Sequence, residues 1–209
     1  MPSFYDRRNV NDVWIGSKRD DVMSGNGGDD VIQGMGGNDR IYGGTGNDRI
    51  LGGDGNDFLQ ANQGDDMVAG GTGSDSVRGS LGTDELWGGN NLNYAGDGSA
   101  DYFVFDYQTD SQIGFGVDTI MDFHPEEGDQ INIGGTVEGY AIHGSYGVQL
   151  VADVSQVTHL TQQATLTYDA TTGMTTLNLY FGDGNPDIDM TLLIMGQHTT
   201  TAGFVDFHP

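Results

Sequence analysis

Aspartate recurs at every ninth residue of this chain eight times in succession: Asp21, Asp30, Asp39, Asp48, Asp57, Asp66, Asp75 and Asp84. A carboxylate is a hard oxygen donor, so such a series can hold hard cations or supply acid–base pairs. The overall charge favours the first use. Thirty-one Asp and Glu against seven Lys and Arg give a formal net charge of −24, which disfavours nucleic acid as a partner and calls for counter-cations at neutral pH. All seven bases (Arg7, Arg8, Lys18, Arg19, Arg40, Arg49, Arg78) precede residue 79, so residues 1–78 hold 13 acids against 7 bases and residues 79–209 hold 18 against none.

Acid–base catalysis finds little support. HExxH, GxSxG and GxxxxGK are all missing from the sequence, and His124, His143, His159, His198 and His208 are scattered singly. Glu126 and Glu127 form a carboxylate pair, but among 31 acids a pair carries no information. With no cysteine there is neither a disulfide nor a thiolate ligand. A non-enzymatic role is expected.

The aspartates are positioned by a nine-residue unit. From Gly16 the chain reads GSKRDDVMS, GNGGDDVIQ, GMGGNDRIY, GGTGNDRIL, GGDGNDFLQ, ANQGDDMVA, GGTGSDSVR and GSLGTDELW. Aspartate holds position 6 and an apolar residue position 8 in all eight, and glycine holds positions 1 and 4 in seven each. A flexible linker has no reason to keep an apolar residue at every ninth place. The phase reaches back to RRNVNDVWI, residues 7–15, with Asp12 and Trp14 in register, which reads as an N-terminal cap over residues 1–15. Forwards, GGNNLNYA is one residue short, with Asn93 where aspartate is expected, and GDGSADYFV restores the pattern at Asp101 and Phe103.

These units resemble the G-G-x-G-x-D-x-U-x nonapeptides of the RTX (repeats-in-toxin, hemolysin-type) calcium-binding family. The resemblance implies an all-β protein built on a parallel β-roll over residues 16–104. Each nonapeptide would make a six-residue turn and a short strand, and two would complete one coil. Such a coil stacks Asp12, Asp30, Asp48, Asp66 and Asp84 along one edge, and Asp21, Asp39, Asp57, Asp75 and Asn93 along the other. At a strand spacing of about 4.8 Å, neighbouring carboxylates repel by about 1 kcal/mol in water and more when buried. Several calcium ions answer that repulsion, because calcium takes six to eight oxygens and accepts main-chain carbonyls beside carboxylates. The expected ligands are the aspartates of positions 6, with Asp101, together with Gly34, Gly36, Gly43, Gly46, Gly52, Gly55, Gly70 and Gly73 and the adjacent Asn38, Asn47 and Asn56. Asp48 and Asp57, neighbours in sequence, are expected on different edges and not to share an ion. Eight inward apolar side chains are few for so many glycine-rich residues, so folding is expected to be coupled to calcium.

Positions 7 and 9 should point outward, and Arg40, Tyr42, Gln60 and Arg78 would then form a strip suited to an acidic polysaccharide. Residues 105–209 lose the period and alternate apolar with polar. Strands are expected at 102–107, 118–123, 129–133, 148–154, 164–168, 174–181 and 188–195, forming an antiparallel or mixed β cap. The segment DYFVFDYQTDSQIGFGVDTIMDFHPEEGDQINI is similar to the region C-terminal to the repeats in secreted RTX proteins, including serralysin-type proteases and alginate epimerase R modules. That resemblance implies extracellular export by an uncleaved type I secretion signal, consistent with an N-terminus that has no apolar h-region. DGNPDID (Asp183, Asn185, Asp187, Asp189) starts like an EF-hand loop but lacks its glycine and glutamate, and reads as an acidic turn. No 18-residue apolar run offers a membrane span. Three roles fit: a calcium-folded extracellular module for secretion, folding or attachment; a self-assembling component of a surface layer, adhesin or virus particle; and an accessory module of a secreted enzyme.

Overall fold

A computed structural model of the chain describes residues 3–5, 9–90, 96–106, 116–134, 136–137, 140–141, 149–150, 163–180, 190–196 and 205–207. All its regular structure is β, as the alternating and glycine-punctuated sequence predicts. Two sheets face each other, and the chain passes from one to the other every nine residues. One consists wholly of parallel strands: Ser3–Tyr5, Val22–Gly27, Arg40–Thr45, Phe58–Gln63, Ser76–Leu81, Tyr102–Asp106, Gln130–Gly134 and Val205–Phe207. The other stacks Val13–Ile15, Val31–Gly36, Arg49–Asp54, Met67–Thr72, Glu85–Trp87, Thr119–Ile120 and Met190–Met195 in parallel. It then turns antiparallel through Met174–Tyr180 and Gln163–Asp169.

The seven repeat strands from Val22–Gly27 to Ser76–Leu81 are each six residues long, running from position 7 of one unit to position 3 of the next, longer than the sequence alone suggests, and Glu85–Trp87 after them has three. Their inward residues are the position-8 side chain and the position-1 residue. The position-8 row of the first sheet is Met23, Ile41, Leu59 and Val77, continued by Phe103 and Ile131. That of the second is Ile32, Ile50, Val68 and Leu86, continued by Ile120 and Ile194. All twelve are buried and form one core. The alternation that buries them is the two-residue period of a strand.

Parallel stacking therefore continues beyond the nonapeptides. Tyr102–Asp106 takes the place after Ser76–Leu81, and Gln130–Gly134 the place after that. The antiparallel part of the expected cap is the meander 163–195, closed at DATTG by Thr171 N–H donating to Asp169 Oδ1 at 2.8 Å. The EF-hand-like DGNPDID, and His143, His159, His198 and His208, lie outside the described residues.

Candidate calcium sites

Each turn joins a position-6 aspartate to the next strand, and the coil brings aspartates eighteen residues apart into register. Asp48 Oδ1 accepts the Asp30 N–H at 2.8 Å, and the Asp48 N–H donates to Asp66 Oδ1 at 2.7 Å. The same bond repeats along both edges. One ladder is Asp12, Asp30, Asp48, Asp66, Asp84 and Asp118; the other is Asp21, Asp39, Asp57, Asp75, Asp101 and Asp129. Asp48 and Asp57 thus stand on opposite edges. The place after Asp75 belongs to Asp101, not to Asn93, which lies outside the described residues. Asp118 and Asp129 extend ladders that the period alone does not reveal.

These carboxylates are at most 3% exposed from Asp21 to Asp129. One oxygen is used in the ladder; for Asp39, Asp48, Asp57, Asp66 and Asp75 the other is buried without a hydrogen-bond partner. A buried, unpaired carboxylate oxygen is costly. Burial, with like charges adding to it, pushes Asp48 up to about 7, Asp101 to about 8 and Asp75 to about 9, despite the hydrogen bond each accepts. Asp39, Asp57 and Asp66 rise to about 6, again chiefly through burial.

The unpartnered oxygens point toward main-chain carbonyls. A Cβ on Gly43 would press on Asp48 Oδ2 and stand 2.7 Å from the Ala61 carbonyl oxygen; one on Gly52 would meet Asp57 Oδ2 and stand 2.5 Å from that of Gly70. Gly34 and Gly70 make the same kind of cradle for Asp39 and Asp75. Gly34, Gly43, Gly52 and Gly70 sit in this close approach, although Ala61 shows that position 1 can carry a methyl, whereas position-4 glycine is required by the backbone, with Gly46 at φ 115°. Among the described residues no three acidic or histidine side chains converge on one point, so a cation here must take carbonyls along with carboxylates. That is calcium's donor set, and the residues fit the ion. When bound, it supplies the charge that the buried carboxylates lack.

The side-chain oxygens of Asn38, Asn47 and Asn56 each accept a main-chain N–H. Asn38 Oδ1 accepts the Asn56 N–H at 2.9 Å, Asn47 Oδ1 the Asp65 N–H at 3.1 Å, and Asn56 Oδ1 the Ser74 N–H at 3.0 Å. They belong to two exposed ladders at position 5, Asp20–Asn38–Asn56–Ser74 and Asn11–Asp29–Asn47–Asp65–Thr83. Sequence reasoning missed these ladders, although position 5 carries Asp, Asn, Ser or Thr in all eight units. Gly36, by contrast with the other expected glycines, has only ordinary contacts, with Asp54. Glu126 pairs with His124 Nδ1 at 3.0 Å and Glu127 accepts the Gly98 N–H at 3.0 Å, so both serve the turn at 122–129.

Buried oxygen ladders between two parallel sheets define a cation-binding β-roll. Four overlapping copies of the RTX calcium-binding nonapeptide repeat match residues 15–50, 24–59, 42–77 and 60–93. Residues 15–93 therefore match the calcium-binding RTX repeat throughout. Among solved structures, the AlgE6R3 subunit of the Azotobacter vinelandii mannuronan C5-epimerase is similar at 21% identity over 97% of this chain and 82% of that one, with a TM-score of 0.40. No curated protein matches. No helix of the described residues is long and apolar enough to cross a membrane.

Proposed function

We propose that the protein is a non-catalytic extracellular attachment module whose roll is ordered by several calcium ions. The observation that carries this reading is the row of buried carboxylate oxygens without partners, at Asp39, Asp48, Asp57, Asp66 and Asp75. A state with so many unpaired buried charges is poorly stable by itself, and an ion that binds only the folded chain stabilises it by mass action. Calcium is scarce inside cells and abundant outside, so such a chain remains extended during export and orders on arrival. The expected ligands are the ladder aspartates and the carbonyls that face them.

Far-ultraviolet circular dichroism and size exclusion, in chelator and then across a calcium titration, test the reading. Strand signal and a compact elution volume should appear together as calcium is added. A chain already compact and fully β in chelator would refute it.

A further inference from the structure

The outer face of the all-parallel sheet carries the expected strip of Arg40, Tyr42, Gln60 and Arg78 on successive coils. The other sheet is different at its N-terminal end. There Val13, Ile15 and Val31 are 70%, 59% and 43% exposed, and Val13–Ile15 is the last strand of its sheet among the described residues. The Gly16 N–H donates to the Gln33 carbonyl at 2.7 Å, and the Asp12 carbonyl accepts the Val31 N–H at 2.9 Å. Residues 12, 14 and 16 therefore address the neighbouring strand, while the N–H and C=O of Val13 and Ile15 face away from it. The all-parallel sheet stops at the same end of the roll, with Ser3–Tyr5 beside Val22–Gly27. Sheet edges are commonly kept apart by charged residues or proline; Val-Trp-Ile has neither, and all three residues favour strands.

We propose that this end of the roll joins a second copy of the chain, edge to edge, about a twofold axis at Trp14. An antiparallel seam sets Val13 opposite Ile15 of the second copy, and Ile15 opposite its Val13. These are the residues whose main-chain groups are turned to the open side, so they form the hydrogen-bonded pairs, with the two Trp14 residues facing each other on the axis. The same register sets Asp12 opposite Gly16 of the second copy, so no like charges stand directly across the seam. It also merges the exposed Val13, Ile15 and Val31 of both copies into one apolar patch on a continuous sheet. Charge selects this end and this pairing. Residues 1–36 hold six acids against four bases, whereas residues 37–209 hold 25 against three, so joining N-terminal ends keeps the strongly acidic parts of two copies apart. Head-to-tail stacking lacks a matching surface: at the far end one sheet stops at Val205–Phe207, while the other runs on past Met190–Met195 into antiparallel strands. The seam is short, three residues in each sheet, and the association it supports is weak and reversible. The proposal goes beyond the calcium reading and needs from it only an ordered roll.

Sedimentation equilibrium of the calcium-loaded full chain, across a concentration series reaching the millimolar range, tests this. The mass should rise from one chain toward two and no further. Val13→Lys with Ile15→Lys should weaken association about tenfold or more, while Gln60→Lys with Ser76→Lys, which adds the same two charges to the outer face of the other sheet, should not weaken it. Added lysines lower the net charge, so general repulsion between copies predicts the opposite for both variants. Circular dichroism in calcium separates loss of pairing from loss of fold. The chain has no cysteine, so the register is read by disulfide trapping. A mixture of Val13→Cys and Ile15→Cys chains in oxidised glutathione should cross-link about tenfold faster than either alone, because only unlike positions stand opposite each other. If the lysine variant does not order, this trapping decides. A calcium-ordered chain that stays monomeric, assembles beyond a dimer, associates undiminished with lysines at 13 and 15, or cross-links equally in all mixtures would overturn the edge pairing and leave the calcium reading standing. A chain that calcium does not order would overturn that reading and this proposal with it.

Discussion

Replacing Asp57 by asparagine should help the roll without calcium and harm it with calcium. Asp57 Oδ1 accepts the Asp39 N–H at 2.7 Å, while Oδ2 is buried with no partner beside the Gly70 carbonyl. Burial raises this carboxyl from 3.8 to about 6. At about 1.36 kcal/mol per pH unit, keeping it ionised in the folded, calcium-free state costs about 3 kcal/mol above pH 6. Asparagine removes that cost, keeps an oxygen for the Asp39 N–H, and turns an amide nitrogen toward the Gly70 side. In chelator, with trimethylamine N-oxide driving folding, Asp57→Asn should therefore fold at lower osmolyte, by up to about 3 kcal/mol above pH 6 and by less as the pH falls toward 4. In calcium the lost charge weakens the ion, and the calcium midpoint followed by circular dichroism should rise several-fold. Asp57→Ala instead strands the buried Asp39 N–H, at about 1–3 kcal/mol, and should lose stability in both conditions. If Asp57→Asn shifts stability in the same direction with and without calcium, the assignment of the unpartnered oxygen to the ion is wrong.

The same geometry sets two further outcomes. The raised carboxyls hold protons in the folded apo chain that the unfolded chain releases near pH 4, so the apo roll is favoured in acid and loses stability as pH rises through the folded values of about 6 to 9; in chelator, strand circular dichroism should grow as pH is lowered toward 4–5. Gly46→Ala places a Cβ at φ 115° against the Gly28 carbonyl and should cost about 1–3 kcal/mol, seen as a lower melting temperature in saturating calcium, whereas a methyl at position 1 is already accommodated at Ala61, fully buried.

Where the chain is periodic, its structure is legible. Aspartate at position 6 and an apolar residue at position 8 imply edge and core, and the eighteen-residue pairing of Asp48 with Asp30 and Asp66 is implied once two units make a coil. Beyond Trp87 the spacing between ladder members grows to 26, 28 and 34 residues, because the turns carry insertions, and a search at fixed period passes over them. The local signature nevertheless persists as Asp118-Thr-Ile120 and Asp129-Gln-Ile131, an acid two residues before a buried aliphatic. Strands are recognisable there from alternation, but their membership of the roll is not, since parallel pairing depends on contacts distant in sequence. The role of Asn38, Asn47 and Asn56 is hidden for another reason: an amide oxygen suits a cation and a backbone N–H equally well, and only the register shows which one it meets.

The position-6 and position-5 ladders run in opposite senses. A position-6 N–H reaches forward to the next coil, and a position-5 N–H reaches back to the coil before it. Each coil is thus buttoned to both neighbours by the same two adjacent residues, and the pattern is indifferent to how many coils there are. Excising or inserting eighteen residues leaves every button opposite its hole. A nine-residue change swaps the sheets and misaligns the irregular connections that lead to Asp101, Asp118 and Asp129. The roll is in this sense a ruler graduated in steps of one strand spacing, about 4.8 Å, whose reach can be lengthened or shortened without redesigning any joint.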